Sequence, residues 1–282
     1  MSDIAVNSRL LGLKDVSVHV TDTGGEGRPV VLIHGWPLSG ASWSEQTDQF
    51  KDAGYRVITY DRRGFGESDK PKTGYSYDTL ADDLHGLIEA LDLHDISLVG
   101  FSMGGGEVAR YIEKYGEGEI HSVVFAAAVP PKLMKTPDNP DGPLEMSKAA
   151  EMTAGLTADE DAFYDEFTKQ FFSANADGNI LVTEQQRKDA LALTKQADKI
   201  AALEAMQSFA LTDFREDLTR ITVPTLVIHG DSDGIVPFEG SGKRTHEAIP
   251  HSELHIILGG PHGINVSHAD EFNDVILTFL AK

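Results

Sequence analysis

The sequence contains no cysteine among its 282 residues. That absence excludes disulfide frameworks, thiolate metal sites and a cysteine nucleophile. Basic residues are also scarce, with 24 Lys and Arg against 45 Asp and Glu, which gives a formal net charge of −21. Because binding to nucleic acid or to anionic lipid depends on clustered Lys and Arg, neither is an expected partner.

Long hydrophobic runs are missing as well, and none approaches the length needed to span a bilayer. The N-terminal segment MSDIAVNSRLLGLKD lacks the basic start, the apolar stretch and the cleavage site of a secretory signal. We therefore expect a soluble, cytoplasmic protein. With 40% hydrophobic residues over this length, the chain can form one large packed domain.

Short β-rich segments alternate with longer amphipathic segments. This alternation predicts an α/β fold, with a mainly parallel sheet flanked by helices. Helical spacing of apolar residues indicates helices over 79–91 and at about 269–280. The predicted strands are 16–20, 30–34, 57–60, 96–99, 123–126, 225–229 and 254–258.

The alternation stops between about residues 130 and 220. This stretch begins with the loop-like PPKLMKTPDNPDGP and continues with helical patterns such as EDAFYDEFTKQFF. We interpret residues 130–220 as a helical cap inserted into a core formed by residues 1–129 and 221–282.

The segment ISLVGFSMGGGEVARYIEKY runs from an apolar strand through Gly100-Phe101-Ser102-Met103-Gly104 into a helix. This is the G-x-S-x-G pattern of a nucleophile elbow in its expected strand–turn–helix context. Gly100 and Gly104 allow the strand and the helix to pass close to Ser102 without clashes from Cβ atoms. Ser102 is therefore the predicted nucleophile.

A serine hydroxyl needs a neighbouring base, and His262 is the candidate. It follows the last predicted strand in the turn-like sequence GGPHG, before the final helix. His268 is a weaker candidate because it lies at the start of that helix. A third member, a carboxylate, is expected after the preceding strand, where TLVIHGDSDGIVPF offers Asp231 and Asp233. Asp231 is better placed to bind the backbone of its own turn.

An oxyanion hole requires two N–H donors, from the residue after the nucleophile and from the loop after the third strand. The first is the Met103 N–H. The second is expected from Trp36, because Pro37 has no N–H. Packing in the core is the alternative role for Trp36.

Two further patterns receive structural interpretations. The run YDRRGFGESD follows a strand and is assigned no chemistry. His251 and His255 have a spacing that metal ligands use on helices, but they lie in a loop that enters a strand, without a third ligand. We expect no metal and no cofactor.

Seven stretches of the sequence, given at the end of this paragraph, together resemble the α/β-hydrolase superfamily. Within it they resemble the cofactor-free chloroperoxidase and bromoperoxidase group, whose members are also described as perhydrolases and aryl esterases. The resemblance extends over nearly the full length. It is weakest between residues 136 and 199. The spacing from Asp233 to Pro237 looks like the acid loop of the superfamily, which favours Asp233 over Asp231. The matching stretches are HGWPLS, YDRRGFGESD, GFSMGGGEVARY, AAAVPP, TDFREDL, TLVIHGDSDGIVPF and GGPHG.

The resemblance implies a Ser102–His262–Asp233 triad that hydrolyses small acyl esters and, with hydrogen peroxide, forms peracids. It also implies homo-oligomers. By matching positions, it implies a pocket wall formed by Trp36, Val129, Leu133, Phe172 and Ile235, each of which could equally be a core residue. A lactonase or lactamase would use the same triad, and an idle ligand receptor on this fold is the alternative outside enzymes.

Overall fold

The computed structural model describes residues 7–175 and 178–282. In these residues, eight strands form one sheet in the order β1-β2-β4-β3-β5-β6-β7-β8. The strands from β3 to β8 run parallel, whereas β2 pairs antiparallel with β1 and β4. The strands are β1 (Asn7–Gly12), β2 (Ser17–Asp22), β3 (Pro29–Ile33), β4 (Arg56–Tyr60), β5 (Ile96–Phe101), β6 (Ile120–Ala126), β7 (Thr225–Gly230) and β8 (Glu253–Ile257).

The core helices pack in two groups around this sheet. Helix α1 (Ser44–Asp52) contacts α11 (Ala269–Leu280), which follows α10 (Ile264–Ser267). Helix α2 (Tyr77–Ala90) contacts α3 (Met103–Tyr115), and the short helix α9 (Gly242–Ala248) contacts β7. Every residue of β5 is buried, so both faces of the central sheet are covered. The predicted α/β class and the seven predicted strands are confirmed, with ends that differ by a few residues.

Strand β1 was not predicted. All but one of its residues are exposed, and the sequence NSRLLG shows no alternation of apolar and polar residues. An edge strand with little burial has no hydrophobic periodicity for sequence analysis to detect.

The segment between β6 and β7 contributes no strand to the sheet within the described residues. It contains α4 (Met146–Ala158), α5 (Glu160–Phe171), α6 (Glu184–Thr194), α7 (Lys199–Leu211) and α8 (Arg215–Leu218), which we call the insertion helices. The helical content expected there is present. The division of the chain into core and cap at residues 130 and 220 stays a prediction.

Candidate active site

Ser102 lies in the turn between β5 and α3, with φ 53° and ψ −117°. A positive φ is rare for a residue other than glycine and marks strain that the surrounding structure must hold. The close passage of strand and helix depends on Gly100, where a Cβ would lie 2.6 Å from the Gly104 carbonyl oxygen. The N–H of Ser102 donates to the Ala126 carbonyl at 2.8 Å, which ties the turn to β6.

The structure brings Ser102, His262 and Asp233 together in one hydrogen-bonded chain. The His262 Nδ1–H donates to Asp233 Oδ2 at 2.7 Å, since a carboxylate can only accept. His262 Nε2 is then free to accept from the Ser102 hydroxyl, and these atoms are 2.9 Å apart. All three side chains are buried, although they come from sequence positions up to 160 residues apart.

The Asp233 carboxylate is held at both oxygens. Its Oδ1 accepts from the N–H groups of Ile235 at 2.9 Å and Val236 at 2.8 Å, while Oδ2 faces His262. Burial alone would raise the pKa of Asp233, but the facing imidazoles of His262 and His229 outweigh burial and hold that pKa well below its ordinary value. The carboxylate therefore stays ionised at neutral pH.

The two competing residues have other partners. Asp231 is exposed, and its Oδ1 accepts from the Gly259 N–H at 2.7 Å and from the Ser232 hydroxyl at 3.1 Å. It thus ties its own turn to the loop after β8. His268 precedes α11 and contacts the Ser267 hydroxyl through Nδ1 at 2.9 Å.

The two N–H groups expected to form the oxyanion hole have no protein acceptor among the described residues. In residues 7–175 and 178–282, no protein oxygen accepts a hydrogen bond from the backbone N–H of Trp36 or Met103. Met103 begins α3, where the first N–H groups of a helix point away from the helix interior. Trp36 is buried, and its indole Nε1–H donates to the Ala202 carbonyl of α7 at 2.9 Å.

A buried polar cluster supports the loop that carries Trp36. The Arg62 guanidinium donates to the His34 carbonyl at 2.7 Å and pairs with Glu107 of α3, which also accepts from the Tyr60 hydroxyl at 2.7 Å. Burial and the charge of Arg62 hold the pKa of His34 well below its ordinary value. The structural interpretation of YDRRGFGESD agrees with these contacts, because the run connects β4 with both the Trp36 loop and the nucleophile helix.

Ser102 and His262 open into a cavity of about 310 Å³. Of the five pocket residues expected from the sequence, four line this cavity: Trp36, Val129, Leu133 and Ile235. Phe172 does not. It lies just after the end of α5 and packs against the Phe171 ring at 4.9 Å. The expectation for Phe172 is therefore wrong. Its ring packs instead against the loop that carries His262, since a Cβ at Gly263 would lie 2.6 Å from the Phe172 ring.

Sequence analysis missed the wall that the insertion helices contribute. Phe163 and Phe167 of α5 line the cavity together with Met152 of α4 and Phe209 of α7. The four-residue spacing within EDAFYDEFTKQFF was the available signal, since it places Phe163 and Phe167 on one helix face. Four polar residues also line the cavity: Lys148, Glu151, Glu166 and Gln170.

His251 and His255 bind separate partners, namely the Val223 carbonyl at 3.0 Å and Glu271 at 2.8 Å. The described residues contain no cluster of three or more side chains suited to a metal ion. They also contain no helix long and apolar enough to cross a membrane.

Comparison with known proteins gives concordant matches. Residues 28–269 match the family model described as alpha/beta hydrolase fold. A putative non-heme chloroperoxidase of Synechocystis is 46% identical over 94% of this chain and 95% of its own length. A bifunctional esterase/perhydrolase of Acinetobacter calcoaceticus is 34% identical over 94% of this chain and 96% of its own length.

Among solved structures, a bromoperoxidase from Bacillus anthracis superposes with a TM-score of 0.94 at 51% identity, over 99% of this chain and all of the other. The resemblance to the chloroperoxidase and bromoperoxidase group is confirmed by these matches. The chain belongs to the α/β-hydrolase family.

Proposed function

We propose that this protein is a serine hydrolase of small acyl esters that also transfers the acyl group to hydrogen peroxide, without a cofactor. The observation that carries the proposal is the hydrogen-bonded chain from Ser102 through His262 to Asp233, with its nucleophilic end in a cavity lined mainly by apolar side chains. Such a chain activates a hydroxyl that is otherwise a weak nucleophile at neutral pH.

In the acylation step, Ser102 Oγ attacks the ester carbonyl while His262 Nε2 takes the hydroxyl proton. The negative charge of Asp233 stabilises the imidazolium that forms. The tetrahedral intermediate then collapses, the bond to the alcohol oxygen breaks, and His262 returns the proton to the leaving alcohol. Ser102 is left as an acyl ester.

The unpaired N–H groups of Trp36 and Met103 support an oxyanion hole. They come from different segments of the chain and are aimed, in this proposal, at the oxygen that becomes negative in the tetrahedral intermediate. Within the described residues, neither N–H group is already engaged by a protein acceptor, so both are available to a substrate oxygen.

In the deacylation step, water or hydrogen peroxide attacks the acyl carbon and His262 takes its proton. The bond between the acyl carbon and Ser102 Oγ then breaks, and His262 returns the proton to Ser102. Water yields the carboxylic acid and peroxide yields the peracid, which oxidises halide in solution. The esterase/perhydrolase relative supports the peroxide branch. Pro37 also supports it: proline restricts the residue before it, so it can hold the Trp36 carbonyl where the additional hydroxyl of peroxide finds an acceptor.

The cavity supports a small acyl group. Its volume of about 310 Å³ is at the low end of ligand pockets, and Trp36, Phe163, Phe167 and Phe209 contribute large rings to its wall. We therefore expect a short acyl group to fit beside Ser102, and a long acyl chain to meet these rings.

The test is a series of p-nitrophenyl esters of increasing acyl length, assayed with and without hydrogen peroxide and bromide. We expect the highest kcat/KM with the shortest esters. We expect bromination of an added organic indicator only when peroxide and an acyl donor are both present. Ser102→Ala is the control. Bromination by that variant, or in the absence of an acyl donor, would contradict the proposed route through an acyl-enzyme. The cytoplasmic location and a homo-oligomeric state stay predictions.

A further inference from the structure

One buried histidine near the site has no part in the mechanism above. His229 lies in β7, four residues before Asp233, and its side chain is fully buried. Its Nε2 is 2.8 Å from the Val236 carbonyl oxygen and 3.3 Å from Asp233 Oδ2. Oδ2 is the same oxygen that accepts from His262. Two imidazoles therefore face one carboxylate oxygen.

The contacts of His229 determine its tautomer and its orientation. A carbonyl oxygen can only accept, so the hydrogen is on Nε2. Nδ1 has no hydrogen-bond partner in the described part of the chain and is packed against Gly242. A Cβ at position 242 would collide with Nδ1 and would lie 3.0 Å from the Cγ of the ring. Glycine at that position leaves just enough space for the imidazole.

We propose that His229 is a positioning residue that connects the acid loop to β7 and holds Asp233 in the orientation that His262 requires. This inference rests on the proposed function, because it assigns a role through the triad. Its basis is that the Nε2–H of His229, a residue of β7, lies close to both the Val236 carbonyl and Asp233 Oδ2.

The loop contacts explain why the position of His229 matters to Asp233. Val236 donates its N–H to Asp233 Oδ1 at 2.8 Å, and its carbonyl accepts from His229. His229 therefore holds the peptide that in turn holds Oδ1, and it also faces Oδ2. Without the imidazole, the Ser241 hydroxyl, at 3.4 Å, is the one donor to the Val236 carbonyl that remains among the described residues. The N–H groups of Ile235 and Val236 would still hold Asp233 Oδ1, but the Val236 peptide would be less firmly fixed and Oδ2 would lose one of its two facing imidazoles. We therefore expect the carboxylate to turn more readily about χ2, away from the plane of the His262 ring.

A second observation separates this role from simple core packing. A buried strand residue facing a loop needs no polar atom, and one that has a polar atom must satisfy it. Among the described residues, the buried Nδ1 of His229 has no hydrogen-bond partner, a cost that a leucine or phenylalanine at this position would avoid. Packing alone therefore does not account for an imidazole at this position, whereas a role of its N–H at the acid loop does.

The experiment compares His229→Leu and His229→Gln with the unmodified protein. The glutamine amide nitrogen is as many bonds from Cβ as Nε2 of histidine, so it can donate to the same carbonyl, whereas leucine cannot. We expect His229→Leu to lower kcat roughly tenfold with little change in KM, and His229→Gln to stay within about threefold of the unmodified protein. The proton of the His262–Asp233 hydrogen bond, observed at low field by NMR, should be broadened in His229→Leu alone.

Thr225→Val is the matched control. Thr225 is a buried polar residue at the other end of β7, and its hydroxyl donates to the Val223 carbonyl at 2.9 Å. It should lose stability without a change in kcat. If His229→Leu does not fold, Gly242→Ala gives the same test, because the added methyl must displace the imidazole. A folded variant of either kind with kcat within twofold of the unmodified protein would overturn the inference.

Asp233→Asn, assayed in parallel, separates this inference from the proposed function. If Asp233→Asn is nearly inactive while His229→Leu is fully active, only the role of His229 is wrong. If Asp233→Asn itself keeps full activity, the proposed triad is wrong, and the role of His229 is wrong with it.

Discussion

The two sides of the cavity are built differently. On the sheet side, Ser102, His262 and Asp233 lie in turns at the ends of β5, β8 and β7, and each is held by hydrogen bonds of 2.7–2.9 Å. On the other side, the wall is formed by side chains of the insertion helices, among which the rings of Phe163 and Phe167 contact each other and the ring of Trp36. The hydrogen bonds on the sheet side fix the relative positions of the three side chains. On the helical side, packing of mainly apolar side chains tolerates their replacement by others of similar volume.

This comparison predicts that substitutions on the sheet side change the rate of the chemical steps, whereas substitutions on the helical side change which substrate fits.

The largest effect is expected for Ser102→Ala, which should lower esterase kcat by at least about 10⁴-fold in a folded protein. The same variant should not react with a fluorophosphonate, while the unmodified protein reacts once, at Ser102. Labelling at another residue would contradict the assignment of the nucleophile.

The next effect separates the two aspartates. Asp233→Asn should lower kcat on the order of 10⁴-fold, because the amide cannot fix the imidazole tautomer or stabilise the imidazolium. Asp231→Asn should lower it less than tenfold, since the hydrogen bonds of the Asp231 carboxylate, within the part of the chain that the structure describes, go to Ser232 in its own turn and to the Gly259 N–H. Steady-state kinetics with p-nitrophenyl acetate measure both. Equal losses would mean that the sheet side does not depend on one carboxylate.

A smaller effect tests the helical side. Phe167 lines the cavity, and the centroids of the Phe167 and Trp36 rings are 5.3 Å apart, so Phe167→Ala should enlarge the acyl site. We expect the ratio of kcat/KM for p-nitrophenyl hexanoate to that for the acetate to rise about tenfold. The control is Phe172→Ala, which removes a buried ring outside the cavity. It should lower activity with both esters and leave their ratio unchanged.

The smallest effect concerns the branch between water and peroxide. Pro37→Leu should lower the ratio of peracid formation to ester hydrolysis roughly three- to tenfold, the contribution of about one hydrogen bond. Acylation of Ser102 should be largely preserved, because the Trp36 N–H remains. Peracid formed from acetate and hydrogen peroxide is compared with hydrolysis of p-nitrophenyl acetate. An unchanged ratio would favour a plain esterase.

The same contrast explains what could be predicted from the sequence. The elbow around Ser102 and the turn around His262 depend on local glycine patterns, so the sequence indicates them directly. The choice between Asp231 and Asp233 relied on the resemblance to the acid loop of the superfamily, because the two aspartates lie only two residues apart in the same turn. Local geometry is visible in local sequence when the backbone itself imposes the residue type.

The helical wall was less accessible to sequence analysis. Phe167 and Phe172 are both apolar and five residues apart, and their different positions follow from where α5 ends and how it packs against the core. His229 was hidden for a related reason. A histidine within a buried strand has the same sequence signature whether it packs in the core or faces Asp233. Tertiary contacts distinguish these cases, and a single sequence does not contain them.

Trp36 connects the two sides of the cavity. Its backbone N–H is assigned to the sheet side, while its indole donates to Ala202 and its ring contacts Phe163, Phe167 and Phe209. The insertion helices are therefore not an interchangeable module. A chimaera that carries the corresponding helices of another family member would inherit that member's acyl preference only if residue 36 were exchanged with them. Otherwise we expect the transplanted helices to displace the indole, and with it the backbone N–H that we propose as an oxyanion donor.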